Sequence, residues 1–163
     1  IAETSNFLTE HGIGSMEELT ERCEAAAASV QRLRAQIQET SAQLERLALV
    51  KKHTETYRRL KPVYDRYQAS KDKEKFLRGY EREIILFEAA ARECKRLGAV
   101  PLPSAERMQA EMDALTARRA ALTAERQKAR REEQDYAAVR RNVEEFLSPP
   151  RQAPARQKDM ELE

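Results

Sequence analysis

The sequence predicts an all-α fold: a long antiparallel helical hairpin, or coiled coil, with a shorter middle helix near its tip. Residues 15–97 and 104–147 together contain one Gly and one Pro. Charged residues make up 36% of the chain and aromatic residues 6%, with no Trp. Such compositions form long amphipathic helices and few strands. A core of mainly Ala, Leu and a few Met therefore favours an extended bundle over a compact globule.

The first long helix is predicted to begin after Ser15. Ser15 and Glu18 have the spacing of a capping box, in which the hydroxyl accepts from a helical amide and the carboxylate reaches back. Residues 1–14 are expected to be the end of a preceding helix and a turn, broken at Gly12 and Gly14. Apolar or small residues then alternate at spacings of three and four, which is typical of a coiled-coil seam. This seam comprises Met16, Leu19, Cys23, Ala26, Val30, Leu33, Ile37, Thr40, Leu44 and Leu47.

Proline and glycine divide the rest of the helical region, 15–147. Pro62 lacks an amide hydrogen, so the helix is expected to kink near 62, or to end near Leu60. With a kink it spans about 15–69. A second helix is expected over 72–97 with Gly98 as its stop, and a third over 104–147 with Ser104 as its N-cap. The tail, residues 148–163, is rich in Pro, Gln and charge and is expected to be disordered.

The two long helices are expected to pair with each other. Residues 15–60 and 104–147 each extend roughly 65–70 Å at 1.5 Å per residue, and equal lengths favour an antiparallel hairpin. In that alignment Ala26 lies near Tyr136, so a small residue meets a large one. The short linker after Gly98 also permits the alternative of an up-down-up three-helix bundle.

Residues that could carry catalysis are sparse. His11 and His53 are the only histidines and lack metal-ligand spacing. Cys23 and Cys94 have no obvious histidine partner, and we expect buried thiols in a reducing cytoplasm, with a disulfide as the alternative. Without a phosphate-binding glycine loop or a run of about 18 apolar residues, the segment is expected to be non-enzymatic, to take no cofactor or metal ion, and not to insert into a membrane.

Positive charge is concentrated in one segment. Residues 51–82 carry eleven basic and five acidic residues, whereas residues 1–50 carry four basic and eight acidic. Clustered cations on an accessible surface neutralise phosphates, so this segment is a candidate DNA-binding surface; the alternative is a solvated helical face. The candidate DNA-binding residues are Lys51, Lys52, Arg58, Arg59, Lys61, Arg66, Lys71, Lys73, Lys75 and Arg78.

Two apolar sets accompany these cations. Tyr57, Tyr64 and Tyr67 share one helical face, which indicates packing rather than an active site. Four consecutive large apolar residues cover more than one stripe of the middle helix, so that helix is either buried on several sides or docks a partner. The candidate docking residues are Ile84, Ile85, Leu86 and Phe87.

The order of these elements is more specific than any one of them. A tyrosine-rich helix, a shorter apolar helix, a Leu-Pro-Ser linker and a charged helix follow one another. The residues concerned are Tyr57, Val63, Tyr64, Tyr67, Lys75, Phe76, Glu83, Ile84, Ala89, Ala90, Leu102, Pro103, Ser104, Arg130, Arg131, Glu132, Asn142 and Val143. Over about residues 5–147 this pattern resembles the C-terminal helical region of relaxases, the mobilization nucleases of conjugative transposons and plasmids in Gram-positive bacteria.

The resemblance implies a role in conjugative DNA mobilization in the bacterial cytoplasm. The family's catalytic tyrosine and histidine-rich metal site belong to an N-terminal nuclease domain that this segment lacks. Because the chain begins with Ile1, we expect it to be part of a longer protein. The implied function is a non-catalytic accessory domain that contacts DNA through its basic tip. The alternatives are a structural coiled-coil spacer, a self-associating dimerisation arm, or a docking module for the transfer machinery or its coupling protein.

Overall fold

The computed structural model describes residues 1–150. These residues form four α-helices and no strand: α1 (Ala2–Glu10), α2 (Met16–Ala69), α3 (Lys73–Arg96) and α4 (Ala105–Leu147). The all-α prediction is therefore confirmed. Of the tail predicted to be disordered, residues 151–163 lie outside the described residues, and residues 148–150 follow the end of α4 without helical structure.

Side-chain caps place the start of each long helix. The Ser15 hydroxyl accepts from the Glu18 amide at 3.1 Å, and the Glu18 carboxylate accepts from the Gly14 amide at 2.7 Å. Glu18 thus reaches one residue further back than a standard capping box requires. Asp72 accepts from the Lys75 amide, and Ser104 from the Arg107 amide, each at 3.1 Å.

Glycine ends α3 as predicted. Gly98 has a φ of +68°, its amide donates to the Lys95 carbonyl at 3.1 Å, and the Ala99 amide donates to the Cys94 carbonyl at 2.9 Å. This pair of bonds is a Schellman motif, which needs a left-handed residue at the position that Gly98 occupies.

Pro62 lies inside α2, which continues to Ala69. The end near Leu60, one of the two expectations for this proline, is therefore wrong. A proline removes one helical hydrogen bond, and packing on the far side of the helix offsets that loss. Leu60 is buried there, and Tyr64 and Tyr67 continue the same packed face.

The chain folds into two compact units, each with its own core. Unit 1 contains residues 1–30 and the part of α4 from Lys128 onward. Its core is formed by Leu19, Tyr136 and Val139, and Ala26 packs against this cluster as the antiparallel alignment predicts. Phe146 is 74% exposed. It lies in the last turn of α4, beyond this core.

Unit 2 contains residues 31–127 and shows how the helices run. Along α2, Tyr64 contacts Phe87 of α3, and His53 lies near Glu93 further along α3. The α3 helix therefore runs antiparallel to α2.

The α4 helix follows α3 in the same direction. It starts beside Thr54, whose hydroxyl contacts Met108, and Leu115 lies along the α2 stretch that includes Leu47. Both helices thus run antiparallel to α2, one after the other, which is the hairpin with a shorter middle helix. An up-down-up bundle would instead place α4 parallel to α2.

Candidate nucleic-acid interface

All ten candidate DNA-binding residues lie in unit 2. Nine of them are exposed and Lys51 is partly buried, so the accessibility that phosphate binding requires is present. Their surroundings differ, however: four make hydrogen bonds or ion pairs, Arg66 lies over the Tyr80 ring, and five make no such contact in the described part of the chain.

Four of the cations are engaged in contacts within unit 2. Arg58 donates to the Pro103 carbonyl, and Lys51 donates to the Gln109 side chain at 3.2 Å. These two contacts join α2 to the linker and to α4. Lys61 pairs with Asp65 at 3.0 Å, and Arg78 lies 3.8 Å from Glu74. The hydrogen bond from Lys61 and the charge of Asp65 raise the pKa of Lys61.

Five of the cations have no ion pair, side-chain hydrogen bond or cation–π contact within residues 1–150: Lys52, Arg59, Lys71, Lys73 and Lys75. Lys52, Arg59 and Arg66 are separated by seven residues each, so they share one outer face of α2. Lys71, Lys73 and Lys75 lie at the α2–α3 turn and in the first turn of α3. The five residues without such contacts are the part of the candidate surface that is free to meet an anion, and we call these five the basic face.

The tyrosines of α2 are packed, as the sequence predicts, and the structure shows that they pack against α3. Ring centroids are 4.7 Å apart for Tyr57 and Phe87, 4.3 Å for Tyr64 and Phe87, and 6.1 Å for Tyr67 and Phe76. A row of aromatic contacts therefore joins the two helices. The three tyrosines are partly buried, and their common face is directed at α3 rather than at solvent.

Tyr80 is a candidate site residue that the sequence pattern does not predict. The α3 helix is interrupted there, with φ −134° and ψ 24°, and the residue is 37% exposed. Its ring stacks on Phe76 at 4.8 Å, and the Arg66 guanidinium lies 5.5 Å from the ring centroid. The preceding Gly79 was the available signal, because glycine inside a helical pattern weakens the helix at that point.

The four candidate docking residues do not form one surface. Ile84 is 2% exposed and Phe87 5%, whereas Ile85 is 53% exposed and Leu86 41%. The docking prediction is therefore wrong for Ile84 and Phe87, which belong to the core because that side of α3 faces α2. Ile85 and Leu86 remain available on the outer side of the helix.

Both cysteines are free thiols, so the disulfide alternative is not observed. Cys23 donates to the Tyr136 carbonyl at 3.5 Å, and burial raises the pKa of both thiols. Among residues 1–150 no three His, Cys, Asp or Glu side chains come together as a metal site.

Within the described part of the chain, no helix combines the length and apolar character needed to cross a membrane. Comparison of the chain with protein-family models, curated proteins and solved structures finds no match.

Proposed function

We propose that this chain is a non-catalytic accessory domain of a relaxase, acting in conjugative DNA mobilization in the bacterial cytoplasm, and that the basic face of unit 2 contacts DNA. The relaxase assignment rests on the order of sequence elements described above. The DNA contact rests on one structural observation: Lys52, Arg59, Lys71, Lys73 and Lys75 have no ion pair within residues 1–150.

The chemistry of the basic face suits phosphates. Lysine and arginine on exposed helical positions neutralise backbone charge whatever the base sequence is. Binding should therefore tolerate any sequence and weaken steeply as salt increases, because counterions released from the nucleic acid supply much of the free energy. Asp65 and Glu74 already neutralise Lys61 and Arg78 in part, so the basic face is expected to contribute most.

The test is anisotropy titration of a labelled oligonucleotide across a salt series. A triple variant, Lys52→Glu, Arg59→Glu and Lys73→Glu, should abolish binding while leaving the helical circular dichroism unchanged. Arg58 stays intact because it holds the linker through Pro103. The matched control is Arg118→Glu, Arg130→Glu and Arg131→Glu, three exposed α4 residues whose reversal gives the same change in net charge. Equal affinities of the two triple variants would overturn the DNA contact.

The relaxase assignment has a separate test. If the domain belongs to a mobilization nuclease, the reading frame that encodes it should also encode a histidine-rich nuclease domain upstream. An unrelated upstream domain would contradict the assignment and leave the DNA contact to be judged by titration alone.

A structural spacer is the second candidate, and the buried seam favours it. Leu19, Val30 and Leu33 of α2 are each at most 6% exposed, and Leu122 and Ala129 of α4 are each 9% exposed. A spacer needs this seam and has no use for unpaired cations. If the basic-face variant keeps its affinity for the oligonucleotide, a structural spacer that docks a partner through Ile85 and Leu86 becomes the better-supported function.

A further inference from the structure

An exposed aromatic ring lies beside the basic face. Tyr80 sits at the interruption of α3, and it lines an open groove of about 280 Å³ together with Phe76, Lys75 and Gly79. A Cβ atom added to Gly79 would have no neighbour within 4 Å, so this side of the groove is open. An aromatic surface and a lysine therefore border the same space.

We infer that Tyr80, supported by Phe76, is a stacking site for an unpaired nucleobase, so that the basic face binds single-stranded nucleic acid in preference to duplex. This inference rests on the proposed DNA contact and deepens it. Phosphate contacts alone discriminate poorly between single and double strands. A base in a duplex is already stacked on both sides, whereas an unpaired base gains a face-to-face contact with an aromatic ring.

The geometry around Tyr80 supports both contacts that such a site needs, one with the base and one with the neighbouring phosphate. Phe76 stacks on Tyr80 with 25° between the planes, which holds the exposed ring in one orientation at little further entropic cost. The Arg66 guanidinium lies over the Tyr80 ring, 5.5 Å from its centroid, and Arg66 is itself exposed, so this side chain can move aside for a base. Its guanidinium is placed to meet the phosphate next to a stacked base, or to stack on the base itself.

The positive charge around the groove favours a single-stranded nucleic acid over an apolar protein segment as its ligand. Lys71, Lys73 and Lys75 flank the groove along the chain and have no ion pair among residues 1–150, whereas the one carboxylate that lines it, Asp72, accepts from the Lys75 amide as the cap of α3. An apolar partner would have to desolvate these ammonium groups without compensation. A polynucleotide supplies a phosphate for the cations and a base for the ring within one repeating unit.

The experiment compares Tyr80→Ala with Tyr80→Phe in the full chain. Tyr80 is 37% exposed, so the fold should tolerate both substitutions. Titrations use oligodeoxythymidine, an oligouridine of equal length, and a DNA duplex. Stacking is worth about 1–3 kcal/mol per base, so Tyr80→Ala should weaken single-strand binding about 5- to 150-fold. Duplex affinity should stay unchanged, and Tyr80→Phe should bind like the parent chain.

A spectroscopic signature accompanies the titration. The chain has five tyrosines and no tryptophan, so oligodeoxythymidine should quench part of the tyrosine emission, and Tyr80→Phe should remove that part while keeping the affinity. The DNA and RNA arms identify which single strand is preferred.

The two proposals fail in distinguishable ways. If the basic-face variant abolishes binding and Tyr80→Ala leaves single-strand affinity intact, the stacking site is overturned and the DNA contact stands. If Tyr80→Ala weakens single-strand and duplex binding equally, the stacking site is likewise overturned. If the basic-face variant binds as its α4 control does, the DNA contact and the inference built on it both fall.

Discussion

The rings of Tyr64 and Phe87 stack with centroids 4.3 Å apart and planes 24° from parallel. Tyr57 contacts the same phenyl ring from the preceding turns of α2, at 4.7 Å. Phe87 is thus the residue on which two α2 tyrosines converge, and at 5% exposure it anchors α3 to α2.

Replacing Phe87 with Ala should lower the free energy of unfolding by about 3–5 kcal/mol, because it removes a buried ring and leaves a cavity. Ile85 is a matched control on the same helix. It is 53% exposed, so Ile85→Ala should change the free energy by within about 0.5 kcal/mol. Urea unfolding followed by circular dichroism compares the two. A similar loss in both variants would mean that Phe87 is not the anchor.

Thr54 has no exposed surface, and its hydroxyl lies 3.0 Å from the Lys51 carbonyl and 3.7 Å from the Met108 sulfur. Thr54→Val keeps the shape and removes a buried hydroxyl that bonds locally, so the free energy of unfolding should be unchanged or higher. Thr54→Ala removes packed atoms and should cost about 1–2 kcal/mol. Thermal melts of the two variants check this order. A destabilised valine variant would show that the hydroxyl holds α4 in place.

Gly98 and Gly79 offer a matched pair of glycine substitutions. Gly98 has a φ of +68°, so Gly98→Ala should cost about 1–2 kcal/mol although its Cβ would approach nothing closer than 3.9 Å. Gly79 has no positive φ and open space around it, so Gly79→Ala should stabilise by about 0.4–1 kcal/mol through the unfolded chain. Urea midpoints measure both. Loss of stability in the Gly79 variant would mean that the interruption at Tyr80 depends on the glycine.

Glu93 should make stability depend on pH below its ordinary pKa of 4.5. The hydrogen bond from Arg96 at 2.7 Å lowers the pKa of Glu93, and the charges of Arg96, His53 and Arg92 add to this against an opposing effect of burial. Because the pKa of Glu93 is lower in the folded than in the unfolded chain, its carboxylate stabilises the fold at pH values above the unfolded-state pKa. That stabilisation is lost as the pH falls through the folded-state pKa.

Thermal midpoints between pH 7 and pH 3 test this dependence. The thermal midpoint of the Glu93→Gln variant should be lower than that of the parent chain at pH 7, and the two midpoints should converge as the pH falls to 3. Glu88→Gln changes an exposed glutamate on the same helix and serves as the control. Parallel curves for the parent chain and Glu93→Gln would refute the assignment.

The sequence predicts features that depend on neighbouring residues better than features that depend on contacts between distant segments. The caps at Ser15 and Ser104 and the stop at Gly98 were predicted, because each depends on hydrogen bonds within a few residues. The direction of α4 stayed open, since the linker permits either path. It is decided by the cluster of Val50, Ala99 and Met108, which joins residues distant in sequence.

In the candidate site, too, some residues could be identified from the sequence and others depend on contacts between helices. The cationic residues were identified from composition, because exposed helical positions accept charge. Which of the four apolar residues of α3 are buried depends on where Tyr57 and Tyr64 lie, and no periodicity in α3 contains that information. Tyr80 was missed because its exposure follows from a break in a helix whose pattern otherwise continues.

The seam of α2 is covered within a single chain, and this predicts a monomer. In unit 1 Leu19 is 1% exposed, and in unit 2 Thr40 is 2% and Thr54 0% exposed. A coiled-coil seam drives dimerisation when its apolar stripe is left uncovered, and here α3 and α4 of the same chain cover it. Sedimentation velocity over a wide concentration range should give one species with the mass of one chain. Opening the seam with Leu33→Ala should lower the melting temperature without changing that mass. A concentration-independent dimer would contradict the prediction, and its loss on Phe146→Ser would then locate the contact at the exposed end of α4.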